Sequence, residues 1–221
     1  MAKLLYGLKG EAEDMPILFF NQEKDNLSEA VPDFLKRYLK KRVKKEYGLS
    51  TNEIVKLGNL CELTSFKSTA IQNWIKRDIK ELIGPPALGK KYSIEQAAIL
   101  LIVRDLKTVY DFETIRYVLK ALFNTLSDRS DDLISPIKFY EAYARILQDT
   151  KEDTCSTYSH EFETHLQSSA EIIKGQFKHL SDKQWLIIKD LLVLTSMSVI
   201  ASHIEQRANK FLQNHLNYMN N

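Results

Sequence analysis

A chain of 221 residues with 44% hydrophobic content has the material for one large or two small folded domains. With only Cys61 and Cys155, a disulfide framework and a cysteine-rich zinc site are both excluded, and an N-terminus without a basic-then-apolar signal layout points to the cytoplasm. The net charge of +2 hides a division: residues 36–107 hold 16 Lys/Arg against 7 Asp/Glu, whereas residues 128–221 hold 10 against 13, so the positive charge is concentrated in one segment.

In chain order, residues 1–26 show no helical period, and the apolar run Met15 to Phe20 reads as a short strand or a docked arm. Pro32 suits a helix start, Phe34, Leu35, Tyr38, Leu39 and Val43 make an apolar stripe, and Gly48 sits where that helix ends. Its outer face is basic, from Lys36 to Lys45. Ser50 with Glu53 forms a capping-box pattern that opens a helix to about Leu63, and Ser93 with Gln96 repeats it before Ile94 to Val109. Between them lie a short helix, Ser68 to Arg77, and a loop with Gly84, Pro85, Pro86 and Gly89, residues that favour turns. Asp111 caps a helix through Phe123. Further helices begin at Ser135-Pro136, cover Tyr158 to His179, and run from Ser181 with Gln184 to about Tyr218. The fold class is therefore all-α with at most a small wing. Three regions are expected: an N-terminal arm and basic helix at 1–49, a compact helical domain at 50–126 and a C-terminal helical bundle at 127–221 with a long last helix.

The middle region has the pattern of a helix-turn-helix, in which two short helices pack across a turn and the second offers its outer side to the major groove. Leu57, Leu60, Leu63, Phe66, Ile71, Trp74 and Ile75 have core spacing, with Thr64 and Ser65 at the turn. Lys67, Ser68, Thr69, Gln72, Asn73 and Lys76 then fall on the outward side of the second helix. Gln and Asn can bond adenine edges, Ser and Thr can reach bases or phosphates, and Lys neutralises phosphate.

The runs Leu57-Gly58-Asn59-Leu60-Cys61-Glu62-Leu63-Thr64 and Thr69-Ala70-Ile71-Gln72-Asn73-Trp74-Ile75-Lys76-Arg77 resemble the opening helix pair of MerR-type regulators. Pro85-Pro86, the wing-like Lys90-Lys91-Tyr92-Ser93 and Asp111-Phe112-Glu113-Thr114-Ile115 extend the resemblance over about a third of the chain. More narrowly, Gln72-Asn73-Trp74-Ile75-Lys76-Arg77 with the later Lys91-Tyr92-Ser93 is similar to the bacterial domain of unknown function 1836. The MerR resemblance implies contact with double-stranded DNA by Lys67, Ser68, Thr69, Gln72, Asn73, Lys76 and Arg77, and phosphate contact by Lys90, Lys91 and Tyr92 in the wing. It also implies a homodimer formed through the long last helix, and a small-molecule or protein effector acting on the C-terminal bundle. Where that family usually carries Arg and Tyr on the second helix, this chain has Thr69, Gln72 and Asn73.

No Gly-rich phosphate loop, no nucleophile elbow and no pair of carboxylates in a recognisable setting gives positive evidence of catalysis. The function expected from the helix pair and the resemblance is DNA-binding transcription regulation, without enzyme activity and with no cofactor. The competing expectation is a protein-interaction module whose helix-turn-helix no longer binds DNA. His160 and His165 are five apart, roughly 140° around a helix, which opposes a shared metal. Leu191 to Ile204 is the longest uncharged stretch in the C-terminal apolar region, short of the ~20 residues that span a bilayer, and no membrane partner is expected. Apolar nearly all round, it reads as the centre of a bundle or the seam between two subunits.

Overall fold

The computed structural model describes residues 48–61, 67–123, 132–152 and 161–219. The N-terminal arm, the basic helix from Pro32, the turn at Thr64 and Ser65, the core positions Leu63 and Phe66, and His160 lie outside the described residues.

Helix α1 (Thr51–Cys61) starts at the expected capping box: the Ser50 N–H and hydroxyl both donate to Glu53 Oε2 at 2.8 Å, and the Glu53 N–H donates back to Ser50 Oγ at 3.3 Å. Helix α2 (Ser68–Asn73) is shorter than its pattern predicts, because the chain widens into a π-helical turn over Trp74–Asp78. There the Ile79 N–H reaches five residues back to the Trp74 carbonyl, at 2.8 Å. A single-turn helix α3 (Lys80–Ile83), which has no counterpart in the sequence pattern, follows and ends at Gly84, whose φ of 68° suits a residue without Cβ.

Helix α4 (Ile94–Lys107) carries the second capping box and is buried continuously from Gln96 to Leu106. Asp111 caps α5 (Phe112–Phe123) through a 2.8 Å bond from the Thr114 N–H, which draws the Asp111 carboxyl below its ordinary value. Ser135 caps α6 (Pro136–Glu152), as its hydroxyl accepts from the Lys138 N–H at 3.3 Å. The helix expected over Tyr158 to His179 is α7 (Glu161–Ile172) followed by a 3-10 turn at Ile173–Gln176. The last helix, α8 (Asp182–Met219), has 38 residues and so runs about 57 Å at ~1.5 Å per residue.

Helices α4, α6, α7 and α8 pack on one another: α4 against α6 and α8, α6 against α7 and α8, and α7 against α8. One hydrophobic core runs from Leu49 through Leu57, Ile71, Leu101 and Phe139 to Ile200, so the helices on either side of the expected boundary near residue 126 bury against each other. Edge-to-face aromatics thread it, with Phe139 5.8 Å from Tyr143 and 6.2 Å from Phe123 between ring centroids.

The stretch Leu191 to Ile204 lies largely inside this core, its buried hydroxyls bonding their own helix: Thr195 to the Leu191 carbonyl (2.7 Å), Ser196 to Leu192 (2.9 Å) and Ser198 to Leu194 (2.8 Å). By length and composition α8 is apolar enough to cross a membrane, yet 56% of its most apolar window is buried within the protein, as in a core helix. The wing is reduced to two isolated bridges, Leu88 with Lys91 and Leu49 with Tyr92.

Candidate nucleic-acid interface

The inner sides of α1 and α2 are fixed by apolar packing. Ile54, Leu57 and Ile71 are fully buried, and Trp74 and Ile75 are half-buried against the core, with the Trp74 ring edge-on to Phe112 at 5.9 Å. Arg116 on α5 donates to the Asp78 carbonyl at 2.8 Å and so holds the π turn, while Lys107 lies 4.9 Å from the centre of the Phe112 ring. The helix pair is thus seated on α5 and the end of α4.

Packing on one side leaves the other side outward. Thr69, Gln72 and Asn73 stand at i, i+3 and i+4 on the exposed face of α2, flanked by exposed Lys67, Lys76 and Arg77, with Ser68 half-buried at the start. Within the described residues none of these seven side chains makes a hydrogen bond or ion pair. Residues 67–91 carry six basic side chains against two acidic ones. Lys80, exposed on α3, adds a cation that the pattern of a single helix ending at Arg77 did not reveal.

The loop after α3 is held from α4. The buried Gln96 amide donates to the carbonyls of Ile83 (2.7 Å) and Pro85 (2.8 Å), and its oxygen accepts from the Ser93 N–H (2.9 Å) and the Ala87 N–H (3.1 Å). The chain then reverses at Gly89, where φ is 70°, with Leu88 and Lys91 exchanging backbone bonds of 2.9 and 3.2 Å. Lys90 at this tip is exposed.

Lys91 and Tyr92 differ from the expected wing contacts. Lys91, with its side chain 45% exposed, reaches Glu53 Oε2 at 3.3 Å and ties the wing to the start of α1. Partial burial would raise the Glu53 carboxyl, but the bonds from Ser50 and the Lys91 ammonium outweigh it and hold the group below its ordinary value. Tyr92 is 8% exposed: its ring is turned into the core, where burial pushes the phenol up, and its backbone pairs with Leu49 through two 2.8 Å bonds. It is a core residue, so the phosphate contact that the resemblance implies for it is withdrawn. Gly48 is required beside this bridge, since a Cβ there would sit 2.8 Å from Lys91 Cβ and 3.0 Å from the Tyr92 carbonyl oxygen.

Beneath the pair lies a buried polar knot. Arg104 donates through Nη1 to the Gly58 carbonyl of α1 (2.9 Å) and through Nε to Asp105 Oδ1 (2.8 Å), while the Tyr143 hydroxyl of α6 donates to Asp105 Oδ2 (2.6 Å). The sequence signal was an adjacent Arg-Asp pair inside an otherwise apolar helix, the mark of charges buried together. Among the described residues no three His, Cys, Asp or Glu side chains gather as a metal site.

A family model, the domain of unknown function DUF1836, matches residues 45–143. The chain is also 54% identical over 217 residues, 95% of its length and 93% of the relative's, to the uncharacterized protein YkrK of Bacillus subtilis (strain 168). The chain belongs to the DUF1836 family. The DUF1836 match takes in the whole helix pair, the loop, the wing and the Arg104–Asp105–Tyr143 knot. No solved structure matches.

Proposed function

We propose that this DUF1836 protein is a DNA-binding transcription regulator that uses α1 and α2 as a MerR-like helix-turn-helix and acts as a homodimer. The observation that carries this reading is the row of Thr69, Gln72, Asn73 and Lys76, outward and without partners among the described residues, on a helix whose other side is anchored by Ile71 and Trp74. Amide side chains suit adenine edges in the major groove, and Lys67, Lys76, Arg77 and Lys90 suit the flanking phosphates.

Selection of genomic fragments by the purified chain at moderate salt tests the reading. A reproducible, roughly palindromic site is expected. Replacing Lys67, Lys76 and Lys90 by Ala should weaken binding to that site and reduce the slope of log affinity against log salt by up to about 0.9 for each phosphate no longer neutralised. Gln72→Ala and Asn73→Ala should instead relax sequence preference. The absence of any enriched fragment, or an unchanged salt slope in the triple variant, would sink the proposal.

A further inference from the structure

The π turn changes which side chains share the outward row of α2. In a regular helix each residue advances about 100°, so residues eight apart lie about 80° from each other. Ile71 and Ile79 are eight apart, yet both are buried, at 0% and 1% exposure. The bond from the Ile79 N–H to the Trp74 carbonyl accounts for this. A turn closed five residues back holds one residue more than an α turn, so side chains beyond it fall back around the axis by about 100°. Thr69 and Arg77 are also eight apart. The widening that brings Ile79 round to the core side of Ile71 therefore carries Arg77, late in the turn, back toward the line of Thr69 and Asn73. It moves Lys76 to the edge of the row, beside Gln72. Arg77 is exposed and bonds no side chain or backbone group among the described residues.

We infer that Arg77 reads a guanine edge in the major groove, in line with the bases that Thr69 and Asn73 face. This rests on the DNA-binding reading above and gives Arg77 a role beyond neutralising phosphate. A planar guanidinium matches the O6 and N7 acceptors of guanine with two parallel bonds, whereas the amides of Gln72 and Asn73 suit adenine. Thr69 to Arg77 spans about 12 Å along the axis at ~1.5 Å per residue, on the order of three to four base steps of ~3.4 Å. One α2 then presents adenine-reading and guanine-reading groups to the same half-site. Arg116 is a positioning residue for this contact: its 2.8 Å bond to the Asp78 carbonyl, with Phe112 packed on Trp74, holds the turn in its widened form. A regular helix from Ser68 to Arg77 would do the reverse, setting Lys76 in the middle of the row and Arg77 off it, so the two geometries assign base reading to different residues.

The test selects sites from a randomised duplex library with the full chain and with variants whose circular dichroism is unchanged. The unaltered chain should enrich a site containing a guanine whose discrimination from the other bases falls about tenfold or more in Arg77→Ala, with preference elsewhere in the site retained. Lys76→Ala should weaken all sites alike. Replacing that guanine by 7-deazaguanine, which lacks the N7 acceptor, should weaken binding by the unaltered chain and leave Arg77→Ala unaffected. Arg116→Met should lower the same guanine preference and no other, and Arg116→Lys should recover part of it; an Arg116→Met variant with full guanine preference would overturn the positioning role. Guanine preference that survives Arg77→Ala, or that falls with Lys76→Ala instead, would overturn the inference and leave DNA binding standing. The absence of any enriched site would remove both.

Discussion

Gln96 spends its whole amide on four backbone partners, two accepting and two donating, and thereby fixes the direction in which the Gly84–Gly89 loop leaves α3. Gln96→Leu keeps the volume but strands the Ile83 and Pro85 carbonyls and the Ala87 N–H; the expected cost is about 2–4 kcal/mol in urea unfolding. The sequence pattern showed the capping half of this role and not the clamp, because the carbonyls it reaches lie 11 and 13 residues back, where no local spacing rule applies. Glu53 makes a similar case. Its capping box was legible at a spacing of three, whereas its pairing with Lys91 was not. Because the folded carboxyl is held below its ordinary value of 4.5, its contribution to stability is present above that pH and is lost as the pH falls through the folded value. Glu53→Gln should therefore lower stability at pH 7 and cost progressively less as the pH is taken below about 4.5, read by urea unfolding at several pH values.

Helix starts were the most legible elements: Ser50, Ser93, Asp111, Ser135 and Ser181 all cap helices as their side chains predict. The segment after Asn73 was not, since a helix pattern from Ser68 to Arg77 gives no sign that its second half widens to π geometry. The widening accompanies two tertiary contacts, Trp74 on Phe112 and the Asp78 carbonyl on Arg116, both made with an element more than 30 residues away. Helices α1, α4 and α6 are likewise joined by the Arg104–Asp105–Tyr143 bonds, which period and propensity do not carry. Tyr143→Phe removes the donor to Asp105 and leaves a buried carboxylate oxygen short of a partner. The expected loss is about 1.5–3 kcal/mol in chemical denaturation, with far-ultraviolet dichroism of the native state unchanged. An apolar replacement of the same shape at this site is then a worse exchange than its size suggests.

Across the whole molecule, the regions expected from the sequence part at residue 126, and burial crosses that line: α4 packs on α6 and α8 as well as on α5. Helix periods and a resemblance that covers about a third of the chain do not report which apolar faces meet. Trp74 sits in the helix pair and Trp185 near the start of α8, so Trp74→Phe and Trp185→Phe variants give a fluorescent reporter in each half. Once each variant's denaturation by dichroism is used to correct for its own stability, both reporters should follow the same transition; two separate midpoints would show that the halves unfold independently. At the centre of this shared core is α4, with eleven successive residues from Gln96 to Leu106 buried and no solvent-facing side. Substitution tolerance should reflect that. In a scan of every position for folded yield, α5 should alternate between permissive and intolerant sites with the period of a surface helix, its permissive sites including Tyr117 and Lys120. Along α4 the alternation should vanish into one unbroken intolerant block, so the stretch of chain least free to vary would lie beside the α1–α2 pair, not within it.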